Sequence, residues 1–343
     1  MTQRIKYWCL SLAGLFLLAA VPPTGRGDGQ LFVVPPGWAE PSYDLARNPL
    51  RSEVVDLGRK LFFDPGLSQD GTVSCATCHN PSAAFAQPDH ALSHGIFNRS
   101  GTRNSPALFN LAWETEFMWD GRINHLDAQP LAPLTDSTEM GNTLPEALAY
   151  LRRTAPYPQA FRAAFGDTTV TTNRFVKAFS QFMLTLQSYN SPYDRFMRQE
   201  PDAALSVSEL NGLLLFRENC ASCHTEPLFT NHQYKRNGLA AGNDRGRANI
   251  SQRAADSLRF KVPSLRNVQV TAPYMHDGRF NTLREVLDHY TSRANPHHNP
   301  ASEVARPITL HPKDKDDLVA FLNALTDRQF IREAVAREQQ AQP

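Results

Sequence analysis

One five-residue word occurs twice in this chain, as Cys75-Ala-Thr-Cys78-His79 and as Cys220-Ala-Ser-Cys223-His224. Two cysteines three positions apart can form thioethers to the two vinyl groups of one porphyrin. The histidine that follows then reaches the iron, so C-x-x-C-H is the attachment word of c-type haem. Two C-x-x-C pairs also describe a Cys₄ zinc site, and one pair alone describes a thioredoxin-like redox motif. Neither alternative needs a histidine directly after each pair, and the two words lie 145 residues apart. Two covalent haem c groups are therefore expected, held by Cys75 and Cys78 with His79 as proximal ligand, and by Cys220 and Cys223 with His224.

The chain has five cysteines. The fifth, Cys9, falls in a segment with a basic start at Arg4 and Lys6, an apolar stretch from Tyr7 to Val21, and small residues at Ala19 and Ala20. That pattern reads as a secretory signal peptide over residues 1–28, too short for a spanning helix. A periplasmic, soluble mature protein is expected, with its four remaining cysteines used by the haems and no disulfide. The formal net charge of +1 supplies no large basic field, which argues against nucleic acid as a partner. The 25 prolines predict a loop-rich chain with many helix stops, and each haem adds apolar surface that regular structure need not provide.

The surroundings of the two words also repeat. Gly58-Arg-Lys-Leu-Phe62 precedes the first and Gly212-Leu-Leu-Leu-Phe216 the second, with Phe85 and Phe229 following. Further on, Pro106-Ala-Leu-Phe-Asn110 leads to Trp119-Asp120-Gly121-Arg122 and Leu126. Pro263-Ser-Leu-Arg-Asn267 leads to His276-Asp277-Gly278-Arg279 and Leu283. Proline to aspartate is 14 positions in both, and aspartate to leucine is 6 in both. Repeats at fixed spacing signal an internal duplication. The predicted fold is mainly α, two cytochrome-c-like domains with one haem each. The expected order is a Pro-rich arm over 29–50, an N-terminal haem domain over 51–170, a bridging helix or linker over 171–204, a C-terminal haem domain over 205–330 and a polar tail over 331–343. Phe62 is expected to end a helix and Thr143-Leu144-Pro145-Glu146 to start one. Apolar residues from Phe175 to Leu186 predict an amphipathic helix over 172–198 that bridges the halves. A last helix is expected from Pro312 to Leu325, and no central sheet.

The two copies differ where function would divide. Thirteen positions past the aspartate stand Pro133 in the first copy and Tyr290 in the second. Proline cannot ligate iron and tyrosine can, so the first haem is expected to keep an open site and the second to be closed. An open ferric haem can bind and cleave peroxide, whereas a six-coordinate one suits electron storage and transfer.

At this point the chain resembles the bacterial di-haem cytochrome c peroxidases and their MauG-like relatives over about residues 50 to 330. The resemblance is carried by both C-x-x-C-H words, Arg103-Asn-Ser-Pro106, Phe117-Met-Trp-Asp-Gly-Arg122, Gln129 with Glu139-Met-Gly141, Val262-Pro-Ser-Leu-Arg-Asn267 and Thr271-Ala-Pro-Tyr-Met-His-Asp-Gly278. It implies that the first haem reacts with H₂O₂, with Gln129 and Glu139 as the polar pair beside Pro133. A carboxylate there can take a proton from the near oxygen and return it to the leaving one. It implies that Trp119 lies between the haems. Relatives of the better-known peroxidase kind have Met at the position of Tyr290, and MauG-like ones have Tyr. Tyr290 is the expected distal ligand of the second haem, with Met275, His276 and His289 as alternatives. His94 matches a loop histidine that can act as a removable ligand of the first iron. Asn104 side chain and the carbonyls of Thr271 and Pro273 match the ligands of a Ca²⁺ between the halves. MauG carries a surface Trp two positions before its second haem word, where this chain has Glu218.

The expected activity is reduction of H₂O₂ to water with electrons that enter by the C-terminal haem. The donor is a small c-type cytochrome or cupredoxin. The alternatives are a MauG-like oxidase that modifies a partner protein, and a di-haem electron carrier without turnover. A carrier has no need of the Gln129, Pro133 and Glu139 set. Family peroxidases are often dimers, so the resemblance also implies a homodimer.

Overall fold

The computed structural model describes residues 30–239, 242–292, 303 and 308–339. The expected signal peptide lies outside the described residues. Twelve α-helices are found among the described residues. They are α1 (Ser52–Phe63), α2 (Cys75–Cys78), α3 (Leu131–Thr135), α4 (Leu144–Arg153), α5 (Tyr157–Phe165), α6 (Thr172–Leu184), α7 (Pro192–Met197), α8 (Val207–Asn219), α9 (Ala248–Ser251), α10 (Leu283–Thr291), α11 (Pro312–Ala324) and α12 (Arg328–Gln339). Among the described residues the one ladder longer than an isolated bridge pairs Tyr234 and Lys235 antiparallel with Lys261 and Phe260. Among the described residues no helix is long and apolar enough to cross a membrane.

Several helix starts carry side-chain caps. Thr143 accepts from the Glu146 N–H at the head of α4, with Pro145 in the first turn. Ser206 with Glu209 and Thr282 with Glu285 form capping boxes on α8 and α10, each satisfying backbone donors that the helix itself leaves unpaired.

Two helix pairs cross closely, α1 with α6 and α8 with α11. Glycine permits both crossings. A Cβ on Gly58 would lie 1.9 Å from the Ala178 carbonyl oxygen, and one on Gly212 2.0 Å from that of Asp317. Beside each crossing stands a trio of phenylalanines. Phe62 lies 5.8 Å from Phe85 and 5.1 Å from Phe182. Phe216 lies 5.4 Å from Phe229 and 5.2 Å from Phe321. These edge-on and tilted contacts suit aromatic quadrupoles. The first trio sits in the larger apolar core and the second in the smaller one.

Two expectations are corrected. The helix predicted over 172–198 ends at Leu184 and packs along α1. The chain then runs without helix to Ser191, because outside partners take its backbone groups. Asp327 Oδ2 accepts from the N–H groups of Tyr189 at 3.0 Å and Asn190 at 2.8 Å. Asn110 both accepts from Ser188 N–H at 2.9 Å and donates to its carbonyl at 2.8 Å. Asn267, the residue matched to Asn110, donates to the Ser188 hydroxyl at 3.0 Å. Both asparagines sit at positive φ, 56° and 57°, so the two matching words converge on one residue. The second correction concerns the polar tail: residues 331–339 belong to α12. Phe330 and Ala334 are buried in the larger core, and Phe330 lies 6.0 Å from Phe85.

Candidate active site

The first C-x-x-C-H word forms the one-turn helix α2 and the second a turn after α8, and both open on one cavity of about 1410 Å³. That exceeds the ~300–1,000 Å³ of an ordinary small-molecule pocket. Cys75, Cys78, His79, Cys220, Cys223 and His224 all line it. His79 Nδ1 donates to the Phe85 carbonyl at 3.0 Å. His224 Nδ1 is 3.1 Å from the carbonyls of both Phe229 and Pro263. A carbonyl only accepts, so Nδ1 carries the proton and Nε2 is the nitrogen left for a metal, the usual outer-sphere arrangement of a ligating histidine. Burial lowers the pKa of His79 to about 4 and that of His224 below its ordinary value, which keeps both rings neutral as iron ligation requires. Burial pushes the Cys75 and Cys220 thiols up to about 12, the opposite of a reactive thioredoxin-type cysteine. The donor set fits c-type haem.

The cavity also gathers Gln129, Pro133 and Glu139. Gln129 is buried. Pro133 lies within α3, and its carbonyl accepts from Met140 N–H at 3.1 Å, which folds the 136–141 turn back over the helix. The Glu139 carboxyl is raised above its ordinary pKa by burial and by Asp136, and lowered by Arg122. The turn is held from outside by Ile96 N–H, which donates to the Glu139 carbonyl at 2.8 Å. His94, two residues before Ile96, is not in the cavity wall. Its carbonyl accepts from Cys78 Sγ at 3.6 Å, its ring lies edge-on to His90 at 4.8 Å, and its Nδ1 is buried without a hydrogen-bond partner.

Tyr290, on the last turn of α10, lines the cavity, as does Met275. Burial pushes the Tyr290 hydroxyl up to about 12, with Cys220 and Cys223 adding to the rise and a hydrogen bond from Asn237 opposing it. Asn237 Nδ2 also approaches Met275 Sδ at 3.3 Å. His289 turns away, with Nε2 3.0 Å from the Asn237 carbonyl.

Trp119 stands at the seam between the halves. Its indole N–H donates to the Asn104 carbonyl at 2.8 Å, and its own carbonyl accepts from Lys261 N–H at 2.8 Å. Its ring lies 6.5 Å from His276, the matched residue of the second word, which stacks on Phe260 at 3.7 Å. Asn104, Thr271 and Pro273 border the same cavity. Asn104 Nδ2 donates to the Ala91 carbonyl at 3.2 Å, so Oδ1 is the atom left for a cation.

Sequence reasoning missed what holds this seam. Arg103 grips Asp244 through Nε at 2.6 Å and Nη2 at 2.9 Å, and Asp120 through Nη1 at 2.7 Å. Arg247 pairs with Glu116 at 2.8 Å, and Lys261 pairs with Glu114. Arg103 belonged to a recognised word, but Asp244 sits in a loop with no motif of its own.

Fold and donor set define a helical c-type haem oxidoreductase. Comparison with known proteins places it more closely. Residues 52–202 match the family described as di-haem cytochrome c peroxidase. The chain is 38% identical over 284 residues to a methylamine utilization protein MauG from Methylorubrum extorquens, covering 81% of this chain and 79% of that one. It is 32% identical over 249 residues to the cytochrome c551 peroxidase of Nitrosomonas europaea, covering 71% and 74%. A crystal structure of a MauG-like protein associated with microbial copper homeostasis superposes with a TM-score of 0.79 at 29% identity, covering 87% of this chain and 96% of that one. The chain belongs to the di-haem cytochrome c peroxidase and MauG-like family.

Proposed function

We propose that this protein is a periplasmic peroxidase that reduces H₂O₂ to water. Its two covalent haems sit in two halves that arose by duplication, and electrons enter by the C-terminal haem from a small c-type cytochrome or cupredoxin. The observation that carries this reading is the asymmetry of the cavity. Gln129, Pro133 and Glu139 line it from the N-terminal part of the chain, and Tyr290, which stands as far past Asp277 as the non-ligating Pro133 past Asp120, lines it from the C-terminal part. The haems supply the one-electron chemistry and the iron at which peroxide is reduced.

The chain's own residues have separate tasks in this reading. His79 and His224 hold the irons through Nε2, fixed by their Nδ1 hydrogen bonds. Tyr290 closes the second iron, and Met275 is the runner-up. Glu139 takes the proton from the near oxygen of peroxide and returns it to the leaving oxygen. Such help is worth about 10²–10⁴-fold, and a buried, raised carboxyl is suited to carry a proton in both directions. Gln129 orients the peroxide by hydrogen bonding. Trp119 conducts charge across the seam. His94 serves as a removable ligand through movement of its loop. Asn104 Oδ1 with the Thr271 and Pro273 carbonyls holds a Ca²⁺, a set of hard oxygen donors.

The test is turnover of H₂O₂ by the di-haem protein with reduced cytochrome c or cupredoxin, followed by donor oxidation. Two donors oxidised per peroxide supports the reading. Tyr290 and the MauG relative favour a second one, a MauG-like oxidase that modifies a partner protein. Peroxide consumption without oxidation of any small donor would select it.

A further inference from the structure

Arg122 lines the cavity with Gln129, Pro133 and Glu139, and the reading above gives it no task. Among the described residues its guanidinium has no ion pair or hydrogen bond, because the carboxylate two positions back is already taken. Asp120 gives Oδ2 to Arg103 at 2.7 Å and Oδ1 to the backbone N–H of Arg122 at 3.1 Å. In the matched word of the second half, Arg279 instead closes on Asp277, with Nε 3.0 and 2.9 Å from its two oxygens. The same Asp-Gly-Arg word thus yields a self-neutralised pair in one half and a free cation in the other. Arg122 is exposed yet borders the cavity, so its guanidinium is solvated and uncommitted, available to an anion that enters there. Its field already reaches Glu139, on which it is the one cation opposing burial and Asp136.

We propose that Arg122 is the cation of the peroxide pocket: its N–H groups receive the oxygen that departs when the O–O bond breaks. The proposal rests on the peroxidase reading. Peroxide gains two electrons from the donor protein and two protons from solvent, the O–O bond breaks, and two waters leave. Glu139 moves the proton from the oxygen that stays to the oxygen that goes, and Arg122 bears the negative charge on the latter until the proton arrives. The planar guanidinium offers several donors in a fixed fork, which a lysine does not. Removal of one preorganised donor of this kind typically costs about 10²–10³-fold.

The experiment compares the di-haem wild type with Arg122→Gln and Arg122→Lys. Fluoride affinity of the ferric protein and the pH profile of the peroxide reaction are measured in each. Fluoride accepts hydrogen bonds from a donor above the open iron and undergoes no chemistry. Arg122→Gln is expected to weaken fluoride binding at least ~10-fold and to slow the peroxide reaction by roughly 10²-fold. The acid limb moves to higher pH, because the cation that favours ionised Glu139 is gone. Arg122→Lys regains part of the fluoride affinity. Unchanged fluoride affinity in Arg122→Gln overturns the proposal. If the first haem's reduction potential changes while fluoride binding does not, the guanidinium serves the haem carboxylates instead. A wild type inert to peroxide would refute the peroxidase reading, while the fluoride titration would still judge Arg122.

Discussion

The turn that carries Glu139 is braced by a glycine with no room for a side chain. Gly95 has φ −102°, a conformation any residue adopts, so its identity is set by contact alone. A Cβ there would lie 2.2 Å from the Thr138 carbonyl oxygen, 2.3 Å from the Glu139 carbonyl oxygen and 2.6 Å from Glu139 Cα, where ordinary contact begins at 3.4 Å. All three atoms are backbone, so no rotamer change relieves them. Gly95 is itself tied by its N–H to the Arg99 carbonyl at 2.8 Å, and the next residue is tied to Glu139 at 2.8 Å. Gly95→Ala must therefore displace the Glu139 backbone by about 1 Å, and a 1 Å misplacement of a reacting group can cost ~10²-fold, about 2.7 kcal/mol of barrier. The assay is stopped-flow reaction of the di-haem protein with H₂O₂, read at the haem bands. Gly95→Ala is expected to be slowed roughly as much as Glu139→Gln, which loses at least ~10-fold by removal of the proton carrier. Because the methyl acts through the carboxylate, the double variant should be no slower than Glu139→Gln alone. A Gly95→Ala rate within about threefold of wild type, or losses that multiply in the double variant, would show that the 93–96 loop does not position Glu139.

Tyr290→Phe is expected to open the second haem to cyanide, seen as a second binding phase in the absorption spectrum; persistence of the original low-spin spectrum would assign the ligand to Met275 or another residue. Arg266→Met removes one partner of a buried pair, whose side chains are 0% and 5% exposed and joined at 2.7 and 2.8 Å. It should cost ~3–5 kcal/mol in urea unfolding, largely recovered by adding Asp194→Leu, and a loss below 1 kcal/mol would contradict the pairing. Burial raises the Asp194 carboxyl, but Arg266 and Ser191 outweigh it and the net shift is downward. The stability it contributes is therefore complete above the ordinary aspartate pKa of about 3.9 and is lost as pH falls through the lower folded value. In Arg266→Met that acid sensitivity should diminish.

What was legible in the sequence is what local chemistry encodes. Thr143 caps α4 as its pattern points, and the cysteines and histidines of both C-x-x-C-H words border one cavity, whereas the close-packing role of Gly58 and Gly212 in the repeated words emerges only from the helix crossings. The end of α6 was not legible. Its apolar period runs on past Leu184, and the carboxylate that takes the next backbone N–H groups, Asp327, stands 138 positions from Tyr189. Residues 331–339 read as tail because they are mostly polar, yet Ile331 and Ala334, with Phe330 just before them, seat α12 on the larger core. In the candidate site, Gln129, Pro133 and Glu139 were named by motif and do share one wall, whereas His94 was named by motif and lies off it. Asp244 carried no signal, since an ion pair with Arg103 needs only a carboxylate at the right place in space.

The different pairing of the two Asp-Gly-Arg words can be traced to one position. Three residues before the matched prolines Pro106 and Pro263 stand Arg103 and Phe260. Arg103 is long and charged, so it claims Asp120 and reaches across the seam to Asp244. Phe260 cannot claim Asp277, which is left to Arg279, and it stacks on His276 and under Arg103 instead, 5.7 Å from the guanidinium carbon. A single exchange of arginine for an aromatic residue thus does three things. It joins the halves by a half-buried bidentate ion pair, holds the His276 ring that faces Trp119, and leaves Arg122 at the cavity without Asp120 as a partner. The two Asp-Gly-Arg words thus differ in surroundings although both C-x-x-C-H words are intact, because each aspartate holds a different cation, Arg103 on Asp120 and Arg279 on Asp277.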